Sequence, residues 1–171
     1  MLKCTPTLMS YNPAKHHRSS IRLKGHDYSS DAFYFITLIV HERRKLFGQI
    51  INKQFVPTDA GKMVAELYHE LEKRYPDKIC HAMVVMPDHF HCIIQSKSTT
   101  ESPVSLAQAI GWYKAMSTCA YIRGVKELGW PAFRHKLWQR NYYEHIIRGA
   151  DAYERITHYI LTNPSAYSDR L

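Results

Sequence analysis

Two histidines separated by one residue, His89-Phe90-His91, carry the plainest chemical possibility in this chain of 171 residues. In an extended segment alternate side chains leave one face roughly 6 to 7 Å apart, so two imidazoles at this spacing can grip one cation. Phe90 and Cys92 then point the other way, into a core. Met86-Pro87-Asp88 reads as a tight turn, which puts both rings at the start of a strand, within reach of solvent. Hydrogen-bonded histidines on a half-exposed strand fit the same spacing, and two ligands do not complete a metal site. A second pair of interest lies near the C-terminus. There Ala152, Ile156, Tyr159, Ile160 and Asn163 share one face of an expected helix, so Tyr159 and Asn163 stand one turn apart. A nucleophile and a third ligand would converge where that face met the histidines. Taken alone, packing for Tyr159 and helix termination for Asn163, just before Pro164, are the plainer explanations.

Other histidine chemistries fail on the same residues. A nucleotide hydrolase with three alternating histidines needs one at position 93, which is Ile93. Neither HExxH nor a P-loop GxxxxGK[ST] occurs, so no zincin and no NTP-driven mechanism is indicated. Cys4, Cys80, Cys92 and Cys119 form no CxxC pair, which fits reduced thiols rather than a zinc knuckle or a redox motif. Residues 1–10 lack the apolar run of a signal peptide, and the apolar stretch near Phe33 to Val40 is too short to cross a bilayer. A soluble, cytoplasmic protein with no membrane partner is expected.

The elements that must position these groups follow from composition and pattern. An apolar fraction of 45% with 22% charged residues belongs to a folded chain, and the length suits one core. A net charge of +8, with eleven histidines counted neutral, favours polyanions, nucleic acid first. Residues 1–27 form a basic arm carrying Lys15, His17, Arg18, Arg22 and Lys24, suited to a phosphate backbone or simply to solvent. Residues 28–171 form the single domain. Phe33 to His41 is aromatic and β-branched and reads as a buried strand. Pro57-Thr58-Asp59 opens a helix whose apolar positions Met63, Val64, Leu67 and Leu71 recur as far as Arg74. Ile79 to Met86 and Phe90 to Ile94 make an antiparallel hairpin. A helix runs from about Val104 to Leu128, interrupted near Gly111 and again near Gly124, then a strand from Trp138 to Ile147, and a last helix from Asp151 that stops at Asn163-Pro164. The order β-α-β-β-α-β predicts an α+β, ferredoxin-like (split βαβ) antiparallel sheet with helices on one face, plus a C-terminal helix carrying the tyrosine.

Met86-Pro87-Asp88-His89-Phe90-His91-Cys92-Ile93-Ile94 resembles the MPNHxHxx signature of the single-tyrosine HUH transposases. Downstream, Lys136-Leu137-Trp138-Gln139-Arg140-Asn141-Tyr142-Tyr143-Glu144-His145-Ile146-Ile147-Arg148 and Tyr159-Ile160-Leu161-Thr162-Asn163-Pro164 resemble the REP-associated tyrosine transposases of bacteria, as do His16-His17-Arg18 and Ser20-Ile21-Arg22-Leu23-Lys24-Gly25. The resemblance spans nearly the whole chain in three ordered blocks. It implies that His89 and His91 bind a divalent metal, Mg²⁺ or Mn²⁺, that Tyr159 is the nucleophile, and that Asn163 takes the place of a polar third ligand that is Gln in insertion-sequence relatives. Asp88 stands where Asn is commoner and Cys92 where Gly is common; Asp88 would change the charge beside the metal. Tyr142 and Tyr143 are rival nucleophiles, ranked below Tyr159 with DNA contact or packing as their roles.

The implied reaction is cleavage and rejoining of single-stranded DNA near a hairpin or inverted repeat, through a covalent 5′-phosphotyrosine that needs no nucleotide. An unperturbed phenol titrates near a pKa of about 10, so it needs a proton acceptor or a cation to attack at neutral pH. On ligand softness two imidazoles suit Zn²⁺ or Mn²⁺ better than Mg²⁺; the resemblance favours Mg²⁺ or Mn²⁺. Lys114, Arg134, Lys136, Arg140 and Arg148 supply cations for DNA, and Trp112, Tyr113, Trp138, Tyr142 and Tyr143 supply rings for stacking or for the core. The alternative is a domesticated, catalytically silent DNA-hairpin-binding protein. An RNA-directed sheet of the RRM kind lacks its Gly-Phe pattern here. Monomer and homodimer with exchanged tyrosine helices both remain open, and a bacterial, nucleoid-associated location follows from the resemblance.

Overall fold

The computed structural model describes residues 25–28, 30–98 and 103–167, with side chains to residue 164. Alternating large apolar residues make β1 (Ala32–Ile39) a central strand whose inner side chains Tyr34, Ile36 and Leu38 are buried. Thr58 caps α1 (Asp59–Arg74) by accepting from the Gly61 amide at 3.2 Å. β4 (Lys78–Met86) and β5 (His89–Ser96) form the expected hairpin across Pro87-Asp88, with a bulge between Cys80 and Met83. Ser105 and Gln108 close a capping box on α2 (Leu106–Leu128), which ends at Gly129 in the left-handed conformation. β6 (Tyr143–Ile147) and α3 (Ala150–Tyr167) complete the main fold.

The sheet order is β4-β5-β1-β6 with every neighbour antiparallel. β5 is thus inserted between β1 and β4, the split βαβ arrangement that the pattern implied. α1 and α2 cover one face, where Phe90, Cys92 and Ile94 of β5 meet Val64, Tyr68, Leu71, Ile110 and Tyr113 in the main core. The buried phenols are satisfied: Tyr68 donates to the Ile93 carbonyl at 2.6 Å and Tyr113 to the Val64 carbonyl at 2.8 Å. α3 lies on the opposite face, where Ile160 joins Ile93 and Ile147 in a smaller cluster rimmed by Phe35, Val84 and Ile156.

Four details depart from the sequence pattern. A hairpin, β2 (Gly48–Ile51) and β3 (Gln54–Pro57), precedes α1, turning at Asn52 and Lys53 with φ of 49° and 63°. α2 is continuous through Gly111 and Gly124. At Gly124 a Cβ would stand 2.2 Å from the Trp130 ring, so this glycine permits ring packing rather than a break. The strand expected from Trp138 begins only at Tyr143. Trp138 instead bridges to Val40 alone and turns its indole inward, donating to Ser117 Oγ at 2.9 Å. Finally α3 continues past Asn163 with Pro164 inside it. Proline removes one backbone donor and biases its predecessor away from helix, yet the docked face holding Ile156, Ile160 and buried Asn163 keeps the segment helical.

Candidate active site

The period of two on β5 puts Phe90 and Cys92 in the main core and turns His89, His91 and Ile93 to the α3 face. Register fixes the neighbours of His91: Thr37 on β1 lies directly opposite, and Tyr143 on β6 lies opposite Thr37. Thr37 Oγ1 is 2.8 Å from His91 Nδ1, and Phe35 stacks on the same imidazole at 5.2 Å between centroids. The His89 and His91 rings meet edge to face at 4.7 Å. His89 Nδ1 lies 2.6 Å from Asp88 Oδ1, while Asp88 Oδ2 accepts from Arg43 Nη1 at 3.3 Å. Arg43 sits in a short 3₁₀ turn, His41–Arg43, held against the β4–β5 turn where the Val40 amide donates to the Asp88 carbonyl and the Phe47 amide to the Pro87 carbonyl.

α3 brings the phenol to this pair. Tyr159 Oη is 3.5 Å from His91 Nε2, its ring contacts both His91 and Phe35 edge-on, and 40% of the residue is exposed. Asn163, one turn further, is buried on the docked side of the helix. Tyr159, His89 and His91 therefore converge within one chain.

The electrostatics suit a ligand pair. Burial, with His89 alongside, pushes the His91 pKa down to about 3, so its ring is neutral at pH 7. Burial alone would raise the Asp88 pKa, but the hydrogen bonds and charges of His89 and Arg43 hold it below the ordinary carboxylate value. Nδ1 of His91 is engaged by Thr37 and Nδ1 of His89 by Asp88, and Nε2 of His91 faces the Tyr159 phenol. A carboxylate behind a histidine is the usual support of a ligating imidazole. Among the described residues no group of three or more His, Cys, Asp or Glu is placed to hold one metal ion. The donors that the described residues bring together are the two imidazoles and the Tyr159 phenol, and imidazole suits borderline divalent ions.

The other expected contact residues divide. Tyr143 is 64% exposed on the same sheet face as His91, and Arg140 and Arg148 are exposed. Tyr142 is half-buried against the main core. Lys114 donates to the carbonyls of Gln139 and Arg140 at 2.7 and 2.9 Å, and burial, with Lys136 nearby, lowers its pKa to about 8. It ties the segment before β6 to α2. Lys15, His17, Arg18, Arg22 and Lys24 lie outside the described residues. Arg155 is exposed on α3. Thr37, Phe35 and Arg43 escaped the sequence reading. Alternation on β1 puts Thr37 on the face of Phe35, but only the register with β5 makes it a partner of His91, and nothing local links Arg43 to Asp88.

The chain is similar to known proteins over most of its length. Residues 28–163 match the family model described as Transposase IS200 like. An uncharacterised protein of Haemophilus influenzae is 37% identical over 165 residues, which is 90% of this chain and 92% of that protein. A putative REP-associated tyrosine transposase of the same organism is 23% identical over 141 residues, 81% of this chain and 73% of that one. Among solved structures, a REP-associated tyrosine transposase bound to a REP hairpin superposes with a TM-score of 0.60 at 21% identity, covering 88% of this chain and 74% of that chain. A putative transposase from Deinococcus radiodurans gives 0.52 at 15% identity, over 82% of this chain and 96% of that chain. With the family model spanning the sheet, both histidines, Tyr159 and Asn163, the chain belongs to the IS200-like transposase family.

Proposed function

We propose that this transposase-family chain is a metal-dependent endonuclease and strand transferase for single-stranded DNA of hairpin or inverted-repeat character, with Tyr159 as its nucleophile. The observation that carries the reading is the Tyr159 phenol oxygen 3.5 Å from His91 Nε2, beside the paired imidazole of His89. His89 and His91, with Asn163, would hold Mg²⁺ or Mn²⁺. A bound divalent ion supplies positive charge to the scissile phosphate and to the developing 3′ oxygen.

The chain's own groups do the rest. Phe35 and α3 packing hold the phenol toward the histidines, and Thr37 and Asp88 fix both imidazoles. The Tyr159 oxygen loses its proton to solvent and bonds to phosphorus. The bond from phosphorus to the 3′ oxygen breaks, and that oxygen takes a proton from solvent. The product is a 5′-phosphotyrosine and a free 3′-hydroxyl, and the same steps in reverse rejoin strands without a nucleotide. Residues 28–171 form the catalytic domain, and the arm at 1–27, with Lys15, His17, Arg18, Arg22 and Lys24, follows the phosphate backbone. Tyr143 stacks on an unpaired base beside the histidines, with Arg140 and Arg148 on flanking phosphates. The protein acts in the cytoplasm on chromosomal DNA.

Labelled hairpin oligonucleotides incubated with the protein and Mn²⁺ test this. A denaturant-resistant protein–DNA adduct is expected, absent with EDTA and absent in Tyr159→Phe. Retention of hairpins with no adduct on any substrate would contradict the nuclease reading and leave a DNA-binding protein without cleavage.

A further inference from the structure

We infer that His81 is a positioning residue for Tyr159: backed by Gln95 and bonded to the Tyr153 hydroxyl, it latches α3 to the sheet in the register that sets the Tyr159 phenol over His91. That this phenol is a nucleophile rests on the function proposed above.

The bulge in β4 makes His81 available. From Cys80 to Met83 β4 advances three residues while β5 advances two, from Ile94 to Cys92. Cys80 and Met83 pack on the main core, and Ala82 and Val84 on the cluster under α3. The extra residue therefore lets His81 face α3 beside Ala82 without turning either neighbour out of its cluster. His81 Nδ1 lies 3.0 Å from the Tyr153 hydroxyl, and Nε2 lies 3.1 Å from Gln95 Oε1. That amide oxygen only accepts, so Nε2 carries a proton and, in the neutral ring, Nδ1 accepts from Tyr153. Phe33 closes the group, its ring 5.3 Å from that of His81 and 5.4 Å from that of Tyr153.

The same residue types recur at the site, where Phe35, His91 and Tyr159 meet. There the hydroxyl stands 3.5 Å from its imidazole, and at His81 it stands 3.0 Å away. One imidazole with an amide and a phenol makes no metal site, so the closer group is suited to holding α3. The helix needs such a hold. It follows β6 through Arg148 and Gly149, both exposed, with Gly149 at φ of 85°. The apolar cluster under it, Ile156 and Ile160 on Ile93 and Ile147, is held by a non-directional force. The hydrogen bond from Tyr153 is directional and fixes one register. A slip of one residue along α3 turns each side chain by about 100°, which would carry Tyr159 off His91. Tyr153 precedes Tyr159 by about 9 Å along the axis, so the latch acts on the phenol through the helix and not by contact.

Tyr153→Phe tests this, because it removes the hydroxyl and keeps the ring against Phe33. The first readout needs neither metal nor DNA. The Tyr159 ring lies 5.5 Å from the His91 ring, centroid to centroid, and shifts its proton resonances. In a ¹H–¹³C spectrum, with the His91 signal identified by its loss in His91→Gln, Tyr153→Phe should displace that signal in the direction given by Tyr159→Leu. The second readout is adduct formation on saturating hairpin DNA with Mn²⁺. It should slow about 10- to 100-fold, the order that misplacing a reacting group by about 1 Å costs, while DNA affinity stays at the wild-type value. His81→Ala should slow it likewise, and His81→Asn, whose amide stands near the place of Nδ1, should recover most of the rate. Should Tyr153→Phe not fold, the two His81 variants decide by the same readouts. An unmoved His91 signal overturns the inference, as does a wild-type rate or a rate loss matched by an equal loss of DNA affinity. An adduct missing from the wild-type chain contradicts the nuclease reading instead, and the His91 signal then still decides the latch.

Discussion

At the residue scale the site is defined by what stands behind each imidazole. Asp88 is almost fully buried, lies 2.6 Å from His89 Nδ1 and is balanced by Arg43. Removing such a supporting group from a metal-binding histidine weakens metal affinity about 10- to 100-fold. Asp88→Ala should weaken Mn²⁺ binding by that order in a calorimetric titration with no DNA present; unaltered affinity would mean that Asp88 does not support a ligand. His91 gives a separate, metal-free prediction. Its folded pKa of about 3 lies below the ordinary value of 6.5, so between these limits the unfolded chain binds a proton that the folded chain refuses. The stability this group contributes is complete above 6.5 and declines as pH falls toward 3, by up to about 1.4 kcal/mol per pH unit. Urea denaturation in EDTA should show this acid loss in the wild type and a shallower one in His91→Gln. The same acid loss in both would refute the assignment.

At the scale of elements, the position of α3 decides whether Tyr159 meets the histidines. Its anchorage is modest: Ile160, fully buried, packs on Ile93 and Ile147 in a cluster separate from the main core. Ile160→Ala creates a cavity worth about 2 to 5 kcal/mol. Hydrogen exchange should therefore quicken in α3 while α1 stays protected, and adduct formation should slow with Tyr159 still present. Equal loosening of α1 and α3 would show that the two faces do not act as separate units. Elements with strong periodicity, α1 and the β4–β5 hairpin, were legible in the sequence almost to the residue, because cap, turn and apolar spacing agree there. The β2–β3 hairpin was not, since its turn residues Asn52 and Lys53 lack the glycine that usually marks such a turn. Asn163-Pro164 misled about the end of α3 because tertiary docking outweighed a local preference.

Across the whole molecule, two faces of one sheet have different tasks. The α1–α2 face carries the main core, while the α3 face combines a small apolar cluster with the histidines, the phenol and the exposed Tyr143. His89, His91 and Tyr159 were readable as candidates from spacing. Their convergence was not, because it depends on strand order and on α3 crossing to the second face. Charge was readable as a total and not as a distribution, since the fold ties the turn after β1 to the loop before β6, with the His41 amide on the Leu137 carbonyl. Tyr142 and Tyr143 remain the rival nucleophiles that a gel-shifted adduct alone does not distinguish from Tyr159. The decisive measurement is tandem mass spectrometry of the tryptic peptides from the Mn²⁺-dependent adduct. The nucleotide should be found on Tyr159, in the peptide that follows Arg155; a nucleotide on Tyr142 or Tyr143, in the peptide that ends at Arg148, would contradict the assignment of the nucleophile.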